Sequence, residues 1–420
     1  MKTWSTLLIL ISTFVVSACG KPSSGDDETP SSRITNGKTL PTISGDNVLT
    51  MDVSTGGGNC GSSTDYINKP CVSVTICNAD GSHCSPINDL LVDTGSFGLR
   101  VFKSVLDSNG ITPIQVTTSG GNLAECVEYG DGSKHWGPVA QAQVKLGNES
   151  AVTVPIQVID SSYVDNGTDA DCTGGETGPG TGSGQGAFNG ILGVGPYAQD
   201  CGAGCAVNAG NGNYYSCTGT GCSSSTAALA KQVTNPVSAL TTDGNGVILM
   251  LPDLDFGGNT AASGYLVLGI GTRSNNTLTN VTAYPMDASN MTFTTSYNGH
   301  DYPGFLDSGS NGLFFPDTNS SVSGCSGILA GWYCPSSTQN LSAVNTAYNS
   351  TTHGSVSFQI ENFNTFWNSP NWVAKEIGGA SGGLLNGQFD WGLSFFFGRN
   401  VAVGIEGKSS SLGSGTYWAY

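Results

Sequence analysis

Two short segments far apart in the chain share one pattern, and that repeat limits the fold more than any other feature. Leu90–Leu99 (LLVDTGSFGL) and Gly304–Leu313 (GFLDSGSNGL) both run from apolar residues into Asp-[Thr/Ser]-Gly-Ser-x-Gly-Leu, which puts Asp93 and Asp307 at matching places 214 residues apart. In a chain with 61 glycines one such tetrapeptide is a weak signal, but two with matching flanks are a strong one. The repeat continues downstream. Asn189–Gly195 (NGILGVG) follows the first copy, with Gly193 100 residues after Asp93, and Asp390–Phe396 (DWGLSFF) follows the second, with Gly392 85 residues after Asp307. These intervals predict two lobes of similar plan.

The chemistry of such a pair is specific. A strand that runs into Asp-Thr-Gly sets its carboxylate on a tight turn, where glycine lets the backbone fold closely and the hydroxyl residue braces the turn. Two carboxyls held about 3 Å apart cannot both ionise, so they share a proton and titrate as a pair. One then takes a proton from water while the other protonates a carbonyl. Hydrolysis of an unactivated amide without a covalent intermediate needs both roles. Either aspartate alone reads as a turn cap, and Tyr129 alone as a half-buried strand tyrosine; the pairing gives them chemical meaning.

Strand-like runs recur along the chain at residues 47–54, 71–77, 89–93, 139–146, 151–159, 246–251, 265–270, 291–297, 355–360 and 401–405, separated by Gly, Asn, Asp and Ser clusters. One short helix is predicted over residues 225–233, stopped by Asn235-Pro236, and Gly/Ser-rich loops over 165–186 and 200–225. The reading is all-β.

Residues 1–18 carry Lys2 and an apolar run, Thr6–Val16, too short to span a membrane, and end in Val16-Ser17-Ala18-Cys19. That pattern resembles a bacterial lipobox, in which Cys19 becomes the lipidated N-terminus after cleavage; ordinary signal cleavage before an unmodified cysteine is the alternative. Residues 19–44 read as that anchor and a polar tether. Setting Cys19 aside leaves twelve of the thirteen cysteines, an even number in an exported chain, so disulfides are the default. Spacing leaves their connectivity open. It suggests small loops at Cys60/Cys71, Cys77/Cys84, Cys201/Cys205, Cys217/Cys222 and Cys325/Cys334, with Cys126 and Cys172 as a longer pair.

Charge and motifs exclude several functions. With 14 Lys and Arg against 31 Asp and Glu the net charge is −17, which opposes nucleic-acid binding. The four histidines are scattered and no paired CxxC is present, so no metal is expected. Gly56-x-Gly58-x-x-Gly61 matches a dinucleotide fingerprint by letter only, since no helix follows and Cys60 lies inside it. Gly-x-Ser-x-Gly is absent and Ser-His-Asp catalysis has no support.

The two motifs, their order and their neighbours resemble the pepsin-like aspartic proteases. Glu128–Ser133 (EYGDGS), with the run Gly137–Gly147 after it, is similar to that family's flap hairpin; Ile191-Leu192-Gly193 and Trp391-Gly392 resemble the elements that cross behind each catalytic loop. Ser263–Gly269 resembles the strand before the second lobe, and the likeness covers residues 45 to about 408. It implies a bilobal, pseudo-twofold all-β fold with lobes at 45–272 and 273–420 and a cleft between them. Asp93 and Asp307 would be catalytic, and Thr94, Gly95, Ser96, Ser308, Gly309 and Ser310 would support the loops. Tyr129 and Gly130 would bind substrate from the flap. Arg100 stands where the family often carries a tryptophan behind the flap tyrosine, and could donate a hydrogen bond there. No long basic prosegment follows Cys19, so the usual zymogen mechanism is not expected. The chain is also similar to bacterial predicted lipoproteins of unassigned function.

The expected protein is therefore a monomeric, outer-membrane lipoprotein endopeptidase that takes an extended peptide or protein substrate in its cleft and needs no cofactor. A non-catalytic relative of the same fold, binding a peptide, glycan or envelope partner, is the alternative. A surface adhesin, suggested only by the Gly/Ser/Asn/Thr content, is a third reading and predicts no cleft.

Overall fold

The computed structural model describes residues 40–53, 58–61, 66–163, 172, 188–219, 221–317, 321–349 and 351–420. The signal segment, the lipobox with Cys19, most of the tether and all of the first predicted insertion but Cys172 lie outside the described residues. The described chain is mostly β.

Six strands close on themselves. Pro70–Cys77, Cys84–Asp93, Gly190–Val194, Phe97–Phe102, Val152–Ile159 and Lys134–Lys145 pair in that order, and the last returns to the first through Thr75↔Lys145 and Ile76↔Val144. Closure leaves no free edge in the ring. Alternation dictates the filling: Val72, Val74 and Ile76 from one strand meet Leu90, Val92, Ala142, Val144 and Ile156 from others, all buried.

Outside the barrel, Val48–Val53 pairs with both Pro70–Cys77 and Ala262–Leu268, and the sheet runs on through Gly246–Met250, Asn400–Gly404, Tyr417–Ala419 and Ala283–Pro285. Gly246–Met250 and Asn400–Gly404, which pair directly, come from either side of residue 272.

A separate seven-stranded sheet holds the second motif, in the order His353–Ile360, Gln339–Thr346, Phe293–Tyr297, His300–Asp307, Phe389–Gly392, Leu313–Phe315 and Gly378–Ala380. One face is an aromatic core, with Phe315 stacked on Phe389 (5.2 Å) and Phe389 on Trp391 (4.4 Å).

The two motifs share a local plan. In each, a strand ends at the aspartate, the chain turns and comes back, and a later strand slides between the two arms. Gly190–Val194 runs parallel to Cys84–Asp93 (Asp93↔Gly193) and antiparallel to Phe97–Phe102 (Gly98↔Gly193). Phe389–Gly392 does the same beside His300–Asp307 (Asp307↔Gly392) and Leu313–Phe315 (Leu313↔Trp391). Only glycine fits at the crossing: a Cβ at Gly193 would come 2.7 Å from the Phe97 nitrogen, and one at Gly392 2.0 Å from the Gly312 carbonyl oxygen.

Two expectations fail. The helix over residues 225–233 does not form, and only Leu229–Lys231 makes a 3-10 turn. Its backbone donors go to tertiary partners instead: Ala227 N–H to the Cys205 carbonyl (2.9 Å) and Val233 N–H to the Tyr214 hydroxyl (2.8 Å). The segment 200–225 is more than a loop, since it holds a short helix, Ala203–Val207, and the hairpin Tyr214–Thr218/Gly221–Ser224. That hairpin extends the strand Asn122–Glu128 as a small sheet. Six disulfides join Cys60–Cys71, Cys77–Cys84, Cys126–Cys172, Cys201–Cys205, Cys217–Cys222 and Cys325–Cys334.

Candidate active site

The turns after Asp93 and Asp307 interlock. Thr94 Oγ1 donates to the Leu306 carbonyl (2.9 Å) and accepts from Ser308 N–H (2.9 Å). In return, Ser308 Oγ donates to the Val92 carbonyl (2.7 Å) and accepts from Thr94 N–H (3.1 Å). Both hydroxyls are buried, so all four bonds act in a low-dielectric interior.

This grip brings the carboxyls together over the two glycines. A Cβ on Gly95 would sit 2.7 Å from the Asp307 carboxyl carbon, and one on Gly309 2.7 Å from Asp93 Oδ1. Each aspartate is also held by its own loop. Asp93 Oδ1 accepts from Gly95 N–H (2.8 Å) and Oδ2 from Ser96 Oγ (2.5 Å). Asp307 Oδ1 accepts from Gly309 N–H (2.8 Å) and Oδ2 from Ser310 Oγ (2.9 Å). The sequence-predicted residues from both motifs therefore meet at one place.

Burial pushes the Asp307 carboxyl well above the usual carboxylate range; the Asp93 charge and then Asp390 push the same way, as does a hydrogen bond shared with Asp93, while Ser310 opposes them. A carboxyl so placed keeps its proton where an ordinary aspartate has lost it.

A hairpin joins Asn122–Glu128 and Lys134–Lys145. Its turn is closed by Tyr129 N–H to Ser133 O (2.9 Å) and Ser133 N–H to Asp131 Oδ1 (2.8 Å). The tip reaches the other sheet: Leu384 N–H donates to the Gly130 carbonyl (3.2 Å), and the Leu385 side chain lies against Gly130. The Tyr129 hydroxyl hydrogen-bonds His135 Nδ1 at 3.0 Å, with the rings edge-on. His135 is itself buried against Phe102 and Phe188.

Arg100 lies near the hairpin tyrosine, whose phenol acts on its guanidinium after the Glu125 charge. It is fully buried and donates to Phe97 O (2.5 Å), Glu125 Oε1 (2.8 Å) and Asp200 Oδ2 (2.9 Å). Asp200 also accepts from the Tyr214 hydroxyl (2.5 Å). Burial, followed by the Glu125 charge, holds the Asp200 carboxyl well above its usual range, and Arg100 offsets part of that. The guanidinium anchors the base of the hairpin, and the Tyr129 hydroxyl is held by His135.

Sequence reasoning missed three further neighbours. Tyr66 OH donates to the Gly309 carbonyl (2.5 Å), and burial then Asp307 hold this phenol far above its usual range. Asn68 Nδ2 donates to the Asn311 (2.9 Å) and Ala374 (2.7 Å) carbonyls, pinning the second loop from behind. Asp390 is fully buried in the strand beside Asp307. Tyr66 and Asn68 sit outside any motif, whereas an acid in place of an apolar residue in Asp390-Trp391-Gly392 was a visible signal.

The one group of metal-ligand type among the described residues is Cys60, Cys71 and Asp89. Its two sulfurs form a disulfide and Asp89 pairs with Lys69 at 2.8 Å, so those atoms are already used. Among the described residues no helix is long and apolar enough to cross a membrane.

The profile of the family described as "Protein of unknown function (DUF3443)" matches residues 44–420. The chain belongs to that family. Both aspartate loops, the hairpin and all twelve paired cysteines lie inside the DUF3443 match. No curated protein matches the sequence. Disulfides in this number point to an oxidising compartment, extracellular or periplasmic.

Proposed function

We propose that this DUF3443 chain is an aspartic endopeptidase of the bilobal pepsin-like kind, with Asp93 and Asp307 as its catalytic pair. The observation that carries this reading is the reciprocal Thr94–Ser308 grip, which sets two carboxyls facing each other across glycines. A water between them is activated by the ionised member while the protonated one, Asp307, gives its proton to the substrate carbonyl. The water oxygen bonds to the carbonyl carbon and its proton passes to Asp93; when the tetrahedral diol collapses, the amide nitrogen leaves with a proton returned from the pair. Ser96 and Ser310 hold the outer oxygens, and Tyr129 and Gly130 close over an extended peptide. The chemistry calls for no cofactor.

A lipid on Cys19 anchors this monomeric enzyme to the outer membrane, and the lobes divide near residue 272. The second reading, a non-catalytic binding protein, draws its support from the contact of Gly130 with Leu384 and Leu385, which holds the hairpin tip against the turn of the other sheet.

Purified residues 20–420 incubated with a peptide library across pH 3–7, beside Asp93→Asn and Asp307→Asn and with a statine-type inhibitor, decide between the two. Cleavage that vanishes in either variant and is blocked by the inhibitor establishes the pair. A folded wild-type chain that cuts nothing over that range ends the protease reading.

A further inference from the structure

Asp390 is fully buried, and neither of its carboxyl oxygens has a hydrogen-bond partner among the described residues. An acid left this way is costly and calls for an explanation. Its place in the sheet supplies one. Asp390 pairs in register with Phe305 on one side and Phe314 on the other, and Asp307 follows Phe305 by two residues. Because side chains alternate along a strand, Phe305, Asp390, Phe314 and Asp307 share one face, while Phe389 and Trp391 turn into the aromatic core on the other. The carboxyl thus stands between two phenyl rings beside the catalytic aspartate.

The groups that act on it are the Asp93 carboxylate and the Ser310 hydroxyl; Asp307 and the Tyr66 phenol feel it in turn, and none of these is a cation. Burial holds Asp390 well above the usual carboxylate range; Ser310 opposes this and Asp93 adds to it, so without a cation beside it the group is a neutral acid.

We propose that Asp390 is a specificity-determining residue that receives a cationic side chain, lysine or arginine, of a substrate peptide next to the bond being cut. The aliphatic stem packs between Phe305 and Phe314, and the charged head meets the carboxyl, which ionises as it arrives and releases its proton to solvent. The rings add a cation–π contribution, and a chain of net charge −17 draws cationic peptides towards the cleft. Entry requires the Gly383–Leu385 turn, four residues before Phe389, to lift off Gly130. This rests on the proposed protease reading for the bond cut, but binding tests it separately.

The test uses statine-containing peptides in which one lysine is walked through the positions flanking the statine, each paired with a norleucine control. Calorimetry at pH 6 in buffers of different ionisation enthalpy is run alongside cleavage of the parent peptides. At one position lysine should bind at least tenfold tighter than norleucine and release about one proton. Asp390→Asn should lose both effects, and Asp390→Leu should favour norleucine. Lysine preference without cleavage would keep this inference and end the catalytic reading. Cleavage with no lysine preference at any position, or a preference that survives in Asp390→Asn, overturns the inference while proteolysis stands; absence of any peptide binding overturns both.

Discussion

Thr94 and Ser308, 214 residues apart, each give one hydrogen bond to the strand before the other and take one from the other's backbone. Ser308→Ala strands a buried N–H of Thr94 and the Val92 carbonyl. A loss of about 1–3 kcal/mol in unfolding free energy is expected, since buried groups left without partners carry their desolvation cost. Ser308→Thr keeps the hydroxyl and should recover most of it. Urea titrations of the three proteins read this directly, and equal midpoints would show that the grip adds no stability.

Asp307 supplies a second expectation, with a sign set by its raised carboxyl. Folding holds a proton on Asp307 that the unfolded chain releases at ordinary carboxylate pH, so its burial costs stability as pH rises above that range. Asp307→Asn removes the cost. The variant should melt higher than wild type at pH 7, with the difference vanishing near pH 3, where the unfolded chain also keeps the proton on Asp307. Under the proposed mechanism it is also inactive, an exchange of activity for stability. Calorimetric scans at the two pH values check the crossover.

Much of this site was legible because its chemistry is written twice in sequence. The paired motifs, Gly193 and Gly392 were readable since strand, tight turn and close crossing each demand particular residues. Predicted strands such as residues 151–159, found as Val152–Ile159, stand out by their β-branched content. Strands such as Gln339–Thr346 and Gly190–Val194 do not: one is polar because it lies near an edge, the other short and glycine-bearing because it is threaded between two arms. Tyr66 and Asn68 reach the site only through tertiary contacts, which local spacing does not encode. The helix expected at 225–233 failed for the same reason, since distant residues claimed its donors.

Arg100 offers a third test. It is the buried cation between Glu125 and Asp200, both themselves buried. Arg100→Met fills a similar volume yet leaves two acids without their charge partner, which should cost about 3–5 kcal/mol. If Arg100 served only the hairpin tyrosine, the variant would stay stable and only the Tyr129–His135 contact would change. A denaturant midpoint combined with the tyrosine ring resonances separates these outcomes.

Glu376 carries the last prediction. It is buried with both carboxyl oxygens unpartnered, and burial pushes its carboxyl up to about 7 against the ordinary 4.5, with Lys375 opposing the shift and Glu361 adding to it. The folded state therefore binds a proton that the unfolded chain has already lost between those two values. Stability from this residue is whole below the ordinary value, declines as pH rises towards 7, and is flat above it. The span corresponds to a penalty on the order of 3 kcal/mol at pH 8. Glu376→Gln keeps the shape and removes the charge, so it should match wild type at pH 4 and exceed it by most of that amount at pH 8. A stability series from pH 4 to 8 in which the two proteins run parallel would mean that Glu376 is solvated in the folded state.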